Sequence, residues 1–304
     1  MRVFVTGATG FIGSATVREL LGAGHKVLGM ARSDAGAQAL IAAGAEVHRG
    51  DVEDLDSLRS GAASSDAVIH LAFIHDFSKF QENCEIDRRA IEALGDALAG
   101  SERPLIITSG AGMGSDGRGR VTTEEDPPVS SKAMPRAASE EAGAAVAGRG
   151  GNVITVRLPQ VHDTTRQGLV TYMIQIARHK GVSAYVGEGR NRWTAAHVLD
   201  TARLYRLALE KGRRGARYNA VAEEGVSFRE IAEAVGRGLK IQAVSITAEE
   251  AAGHFGWLAH FVGWDVPASS ARTREELGWN PTGPGLIADL ENMRVDAATT
   301  GGQR

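Results

Sequence analysis

Short apolar runs alternate with longer stretches in which apolar residues recur every three or four positions, and this alternation organises the first half of the chain. The runs RVFVT, KVLGM, AEVHRG, AVIHLAF, PLIITS and NVITVRL read as strands. Helical patterns cover 11–21, 35–43, 54–61 and 80–99 between the first five of them. Right-handed crossovers place such helices on both faces of one parallel sheet, here of about six strands. The expected fold is α/β, a doubly wound Rossmann parallel sheet. After residue 158 the rhythm loosens into a helix over 169–180, the short run AYVG, a helix over 200–209, the segment RYNAV and a helix over 228–238. That change predicts a Rossmann domain over 1–158 and a smaller, mainly C-terminal α/β substrate lobe over 159–304, with some lobe segments free to return to the sheet.

Between 110 and 135 the pattern lapses into five Gly, three Pro and the pair Glu124–Glu125, so a long loop is expected there. Loops of that length in compact domains are usually functional. A frayed tail is expected over 297–304. Hydrophobic residues at 43% and charged residues at 23% exclude disorder for the rest. The formal charge of −3, from 34 Lys plus Arg against 37 Asp plus Glu, argues against a grip on nucleic acid or an anionic membrane. Cys84 is the only cysteine, which excludes an intrachain disulfide and a multi-Cys zinc site; no metal is expected, and a reducing cytoplasm fits. No run reaches the ~18 apolar residues of a membrane span, and the first residues enter a strand pattern at once. A soluble cytoplasmic protein is the expectation.

Candidate chemistry starts at Thr6-Gly7-Ala8-Thr9-Gly10-Phe11-Ile12-Gly13, between the first strand and the first helix. Glycines there let the backbone turn sharply against a pyrophosphate while the helix N-terminus faces it, so Gly7, Thr9, Gly10, Phe11, Ile12 and Gly13 are candidate cofactor residues. The plain alternative is a tight turn with no ligand. Arg32 lies 19 residues after Gly13, just beyond the second strand, and neither Met30 nor Ala31 is acidic. An acid there would bind a ribose 2′-hydroxyl, whereas Arg32 with Ser33 suits a 2′-phosphate, which favours NADP(H). A solvated Arg beside Asp34 is the alternative.

TGATGFIG, followed in order by Gly50-Asp51-Val52, His70-Leu71-Ala72-Phe73, Ile107-Thr108-Ser109-Gly110, Arg157-Leu158-Pro159, His197-Val198-Leu199-Asp200 and Leu277-Gly278-Trp279-Asn280-Pro281, resembles the extended short-chain dehydrogenase/reductases, the NAD(P)-dependent epimerase/dehydratase family. The resemblance implies that Asp51 accepts from the adenine amino group with Val52 beside the ring, although Asp51 could instead cap the next helix. It also implies that Leu71, Ala72, Phe73 and Pro159 pass along the cofactor.

The family's usual chemistry joins a Ser or Thr after the fifth strand to Tyr-x-x-x-Lys on the next helix. The tyrosines here are Tyr172, Tyr185, Tyr205 and Tyr218, so none precedes the sixth strand. Aligning Glu140 with the family's Glu puts Arg136 at the Lys position and Lys132 at the Tyr position. Arg136 would then hold the nicotinamide ribose. Lys132 would donate a proton only with a strongly lowered pKa; otherwise it is a solvated loop cation. Ser109, with Thr108 second, is the candidate to polarise a carbonyl or else a cap, and Gly110 stands where many relatives carry Ser. His75 and His162 are reserve acids.

Trp193 falls where many sugar-nucleotide relatives carry an Arg for the diphosphate. Phe73, Phe77, Phe80, Met113, Tyr185 and Trp193 are expected either to line an apolar small-molecule pocket or to pack in the core. Arg190 and Arg192 leave room for an anionic substrate. These residues point to an atypical NADPH-dependent oxidoreductase that reduces a carbonyl or enone of a largely apolar small molecule. The alternatives are a non-catalytic NADP(H)-sensing regulator and a sugar-nucleotide epimerase or dehydratase. Relatives often pair through helices matching 87–98 and 137–146, so a homodimer is a further expectation, unless those residues only pack on the sheet.

Overall fold

The computed structural model describes residues 1–294; the tail expectation over 297–304 lies outside the described residues. The first half runs β1 (Arg2–Thr6), α1 (Phe11–Gly22), β2 (Lys26–Ala31), α2 (Asp34–Ala42), β3 (Glu46–Arg49), α3 (Leu55–Ala63), β4 (Ala67–His70), α4 (Phe80–Ala97), β5 (Pro104–Gly110), α5 (Ala138–Gly148) and β6 (Asn152–Leu158). Beyond it come β7 (Gln160–His162), α6 (Val170–Lys180), β8 (Val182–Val186), β9 (Arg192–His197), α7 (Val198–Lys211) and β10 (Arg217–Asn219). The chain continues through β11 (Glu223–Ser227), α8 (Phe228–Leu239), β12 (Gln242–Ile246), α9 (Ala248–Phe255), α10 (Ala259–Val262), α11 (Ala271–Leu277) and α12 (Leu286–Glu291).

The main sheet has seven strands in the order β10-β6-β5-β4-β1-β2-β3, all parallel. From β1 the chain first winds outward through β2 and β3, then returns to β4 and winds the other way. The crevice above the carboxyl ends of β1 and β4 is therefore the topological switch point, where ligands of open α/β sheets bind. The seventh strand is one more than the six apolar runs suggested: β10, part of RYNAV, pairs with β6 from beyond residue 158.

Period-two alternation fixes the faces. Val3 and Val5 join Leu20, Ile106, Ile154, Tyr205 and Trp279 on one side. Phe4 joins Leu28, Val68, Ile91, Leu94 and Ile107 on the other. Burial on both faces explains why these strands read as continuous apolar runs. Each fully buried Val, Leu, Ile or Phe contributes about 1.5–3 kcal/mol. The other lobe has its own core, including Met173, Ile174, Trp193, Phe228, Ile231, Phe255 and Leu258. It is built on the small sheets β11-β9-β7 and β12-β8.

Between Gly110, which ends β5, and Pro135, which opens a 3-10 turn, the chain holds no α-helix or strand, only a 3-10 turn at Ala111–Gly114 and isolated bridges at Arg118 and Thr122. Backbone hydrogen bonds tie the segment to the lobe, Gly119 to Asp265 at 3.1 Å and Thr122 to Pro267 at 3.0 Å. Among the described residues no helix is long and apolar enough to cross a membrane.

Candidate functional site

The turn after β1 is shaped by what cannot fit there. Gly7 has φ +63°, and a Cβ on it would stand 2.7 Å from the Ala72 nitrogen; a Cβ on Gly13 would stand 2.0 Å from the Gly7 carbonyl oxygen. The backbone of β4's end can approach this turn only because side chains are missing. α1 starts at Gly10 with no side-chain cap, so the N–H groups of Phe11, Ile12 and Gly13 have no acceptor within the helix. Thr9 and Gly10 are exposed. Uncapped amides, a helix N-terminus and a cradle that a Cβ would fill together fit a dinucleotide pyrophosphate.

At the adenosine end the Ser33 hydroxyl caps α2, accepting from Gly36 N at 3.1 Å. Asp34 pairs with Arg49 rather than with its neighbour Arg32. Arg32 is 66% exposed and reaches Asp51 at 3.5 Å. Asp51 does not cap the next helix, since Asp54 does so by accepting from Ser57 N. Its carboxylate accepts instead from Glu53 N at 3.0 Å, while Val52 is buried beneath the turn. Arg32 thus stands exposed at the mouth of this end, in contact with Asp51, with buried Met30 and Ala31 before it.

The reaction end is a chain of buried polar contacts. Leu71 N and Ala72 N donate to Thr6 Oγ1 at 3.1 and 3.2 Å, and that oxygen lies 2.8 Å from His70 Nδ1. His70 Nε2 is 3.0 Å from Asp87 Oδ1, and Asp87 Oδ2 accepts from Arg136 Nη1 at 3.0 Å. Burial alone would raise the Asp87 pKa, but Arg136, His70 and Ser139 outweigh it and hold the carboxyl below its ordinary value. Arg136 also bonds Ser139 and gives Nη2 to the Thr108 carbonyl at 2.9 Å, with its guanidinium 4.4 Å over the Phe73 ring. Three of its five donor hydrogens are used; Nε–H and one on Nη2 have no partner among the described residues.

Ser109 and Lys132 are not brought to Arg136. The Ser109 hydroxyl is buried and donates to Glu140 at 2.7 Å, and Glu140 is held by two bonds from fully buried Arg157, each 2.8 Å. Thr108 donates to the His70 carbonyl and meets Tyr205 Oη, each at 2.7 Å. Tyr205 is fully buried, which pushes its phenol pKa up and keeps it from any ligand. Lys132 is exposed, and its ammonium has no partner among the described residues. Pro159 sits half-buried between β6 and β7.

The aromatic residues divide. Phe73, Phe77 and Phe80 gather where α4 begins, with ring centroids 5.7 Å apart for Phe77–Phe80 and 6.4 Å for Phe73–Phe80. Trp193 is a correction to the expected pocket: it is 2% exposed and edges onto Phe228 inside the lobe core. Tyr185, also expected there, lies on β8 beneath Arg229, and Met113 is buried. His162 is fully buried, with Nδ1 2.7 Å from Asp289, so it fastens α12. Arg192 is held by Asp265 through Nε at 2.9 Å and Nη2 at 3.0 Å, and Arg190 lies 3.7 Å from Glu188. His75 keeps an exposed edge 5.3 Å from the Phe73 ring, yet protein crowds it elsewhere. That loss of water lowers its imidazole pKa, and the Arg136 cation lowers it further.

An uncharacterized protein of Schizosaccharomyces pombe is 47% identical over 295 residues, covering 95% of this chain and 98% of the relative. One of Saccharomyces cerevisiae is 44% identical over 293 residues, with the same coverage. Among solved structures, the dTDP-glucose 4,6-dehydratase DesIV of Streptomyces venezuelae, determined with NAD bound, superposes with a TM-score of 0.77 at 20% identity. It covers 98% of this chain and 96% of its own. The NAD dependent epimerase/dehydratase family matches residues 3–221, and with the glycine turn at the switch point of an extended short-chain dehydrogenase fold, this chain belongs to that family.

Proposed function

We propose that the protein is an NADP(H)-dependent oxidoreductase that reduces a carbonyl or conjugated enone of a largely apolar small molecule. The observation that carries this reading is the junction at the end of β4, where the dinucleotide turn, pinned Arg136 and the ring of Phe73 adjoin. The cofactor supplies the hydride chemistry when bound. The chain's own groups divide the rest. Backbone amides of the turn hold phosphate; Arg32, exposed and in only a long 3.5 Å contact with Asp51, takes the 2′-phosphate. The two free donors of Arg136 suit ribose hydroxyls.

Ser109 is engaged by Glu140, so the proton is assigned to His75, the exposed-edged imidazole beside Phe73, or to water. Lys132 remains the alternative donor, in solvent. Because the His75 pKa lies below its ordinary value, its protonated form fills only in acid; reductive kcat/KM should rise as pH falls through that value. His75→Gln should flatten the profile.

Screening ketones, quinones and enones for NADPH against NADH oxidation tests the proposal. NADPH-dependent turnover is expected. Tight NADPH binding with no turnover across the panel would favour a sensing regulator, and conversion of nucleotide sugars with NAD would favour an epimerase or dehydratase.

A further inference from the structure

A cavity of about 300 Å³, a volume at the small end of ligand pockets, opens at the outer edge of the main sheet. Its walls are Arg213, Arg214 and Arg217 on the approach to β10, Arg272 on α11, and Glu124 and Glu125 of the long loop after β5. Because β10 runs parallel to β6, that approach lies towards the amino ends of the strands, away from the crevice at their carboxyl ends. Four cations there face two carboxylates.

Three of the four cations are neutralised. Arg213 and Arg272 share Glu276, at 2.6 and 2.7 Å; Arg272 also meets Glu125 at 2.8 Å, and Arg214 lies 3.5 Å from Glu102. Glu124 is engaged elsewhere, its buried carboxylate accepting from Thr273 N at 2.9 Å and from Thr273 Oγ1 at 2.6 Å. Arg217 is the exception. It is half-buried, pairs with no carboxylate among the described residues, and donates only to the carbonyls of Glu124 and Glu125, each at 3.0 Å. Burial lowers its pKa, and the Arg157 and Arg272 cations beside it lower it further. A charge drawn out of water among like charges is costly until an opposite charge joins it. Donors for one remain: Nη1 of Arg213, Nη1 of Arg217 and Nη2 of Arg272 have no partner among the described residues.

We infer that this cavity binds a small, multiply charged oxyanion, a phosphate or a compact dicarboxylate, with Arg217 as its central cation. Guanidinium forks match such oxygens through paired, charge-assisted hydrogen bonds. Nothing in the site depends on whether the protein reduces a carbonyl. Its occupation reaches the long loop, because Arg217 holds the carbonyls of Glu124 and Glu125 while Arg157 holds that of Asp126 at 3.0 Å. An anion on Arg217 therefore braces the stretch of chain that leads towards Arg136.

The test is a calorimetric titration of the full chain with inorganic phosphate and, separately, with succinate, at an ionic strength held constant with chloride. Saturable binding of at least one is expected, and which one binds tells a phosphate site from a carboxylate site. Arg217→Gln should weaken it about tenfold or more. Arg213→Gln, at an exposed position whose partner Glu276 keeps Arg272, should fold in any case and weaken it about two- to fivefold. Gly13→Ala, which alters the dinucleotide turn, should leave it unchanged. No binding of either anion, or binding untouched by both Arg variants, would overturn the site; loss in Gly13→Ala alone would place the anion in the dinucleotide turn instead. The bound anion should also slow amide exchange across 122–126, and unchanged exchange there would refute the bracing.

Discussion

At the phosphate turn the chain presents backbone, and at the reaction end it presents buried charge. Gly7, Gly10 and Gly13 act by what they lack, since a Cβ on Gly13 would stand 2.0 Å from the Gly7 oxygen. Asp87 and Arg136 act by what they carry: a 2%-exposed carboxylate pinned against a guanidinium, with His70 bonded behind it. Thr6 joins the two ends, opening the glycine turn and touching His70 at 2.8 Å. The first end should therefore fail when volume is added, and the second when charge is removed.

Gly13→Ala should have the largest effect on cofactor binding. Crowding of this kind costs about 1–3 kcal/mol or more, and here the clash falls on the binding atoms, so affinity for both NADPH and NADH should drop about a hundredfold. Titration of both cofactors reads it, and unchanged binding would show that the turn can relax. Asp87→Ala should next cost about 3–5 kcal/mol in urea unfolding, because it strands a largely buried Arg136.

The same residue sets a pH dependence. The folded Asp87 pKa is depressed, so its stabilisation is complete above the unfolded value of about 3.9 and is lost as pH falls through the folded one. The acid limb of the wild-type stability curve should accordingly be steeper than that of Asp87→Asn. Equal slopes would place the charge elsewhere in the network.

Arg32→Ala contrasts the two ends again, since it changes charge at the shape-built end. Losing a charge-assisted hydrogen bond costs about 1.5–3 kcal/mol, so the NADPH dissociation constant should rise about ten- to a hundredfold while that of NADH stays put. Equal losses would mean that Arg32 supports the loop. The smallest effect belongs to Lys132→Ala. A solvated side chain changes energies by about 0.5 kcal/mol, so turnover should shift less than about threefold. A hundredfold fall would restore it as the proton donor.

What could be read from the chain follows the same division. Strands buried on both faces and glycines between strand and helix are local signals, and β1, α1 and their turn lie where the pattern puts them. The charge network is not local: Ser109 finds Glu140 across 31 residues, and Arg136 finds Asp87 across 49. Asp87 sits in the polar-looking stretch Glu85-Ile86-Asp87-Arg88-Arg89, yet it is buried. One signal was present, because Cys84, Ala90 and Ile91 stand three or four positions away and mark an inward helical face. For Trp193 the sequence leaves pocket and core both open, because position along the chain does not say which face of β9 is buried; in the fold β9 turns it into the lobe core against Phe228.

The return of β10 to the edge of the sheet ties protein synthesis to folding. When the ribosome has made residues 1–158, the outer edge of β6 has no neighbour; its partner, Arg217–Asn219, is still about sixty residues away. At about 5–20 residues per second, that edge waits several seconds for the strand that covers it. An unpaired parallel edge is a template for another chain. A fragment cut at 158 would carry the exposed edge permanently, so the excursion through β7, α6, β8, β9 and α7 is a loop that the sheet must close behind, not an appendage that can be removed.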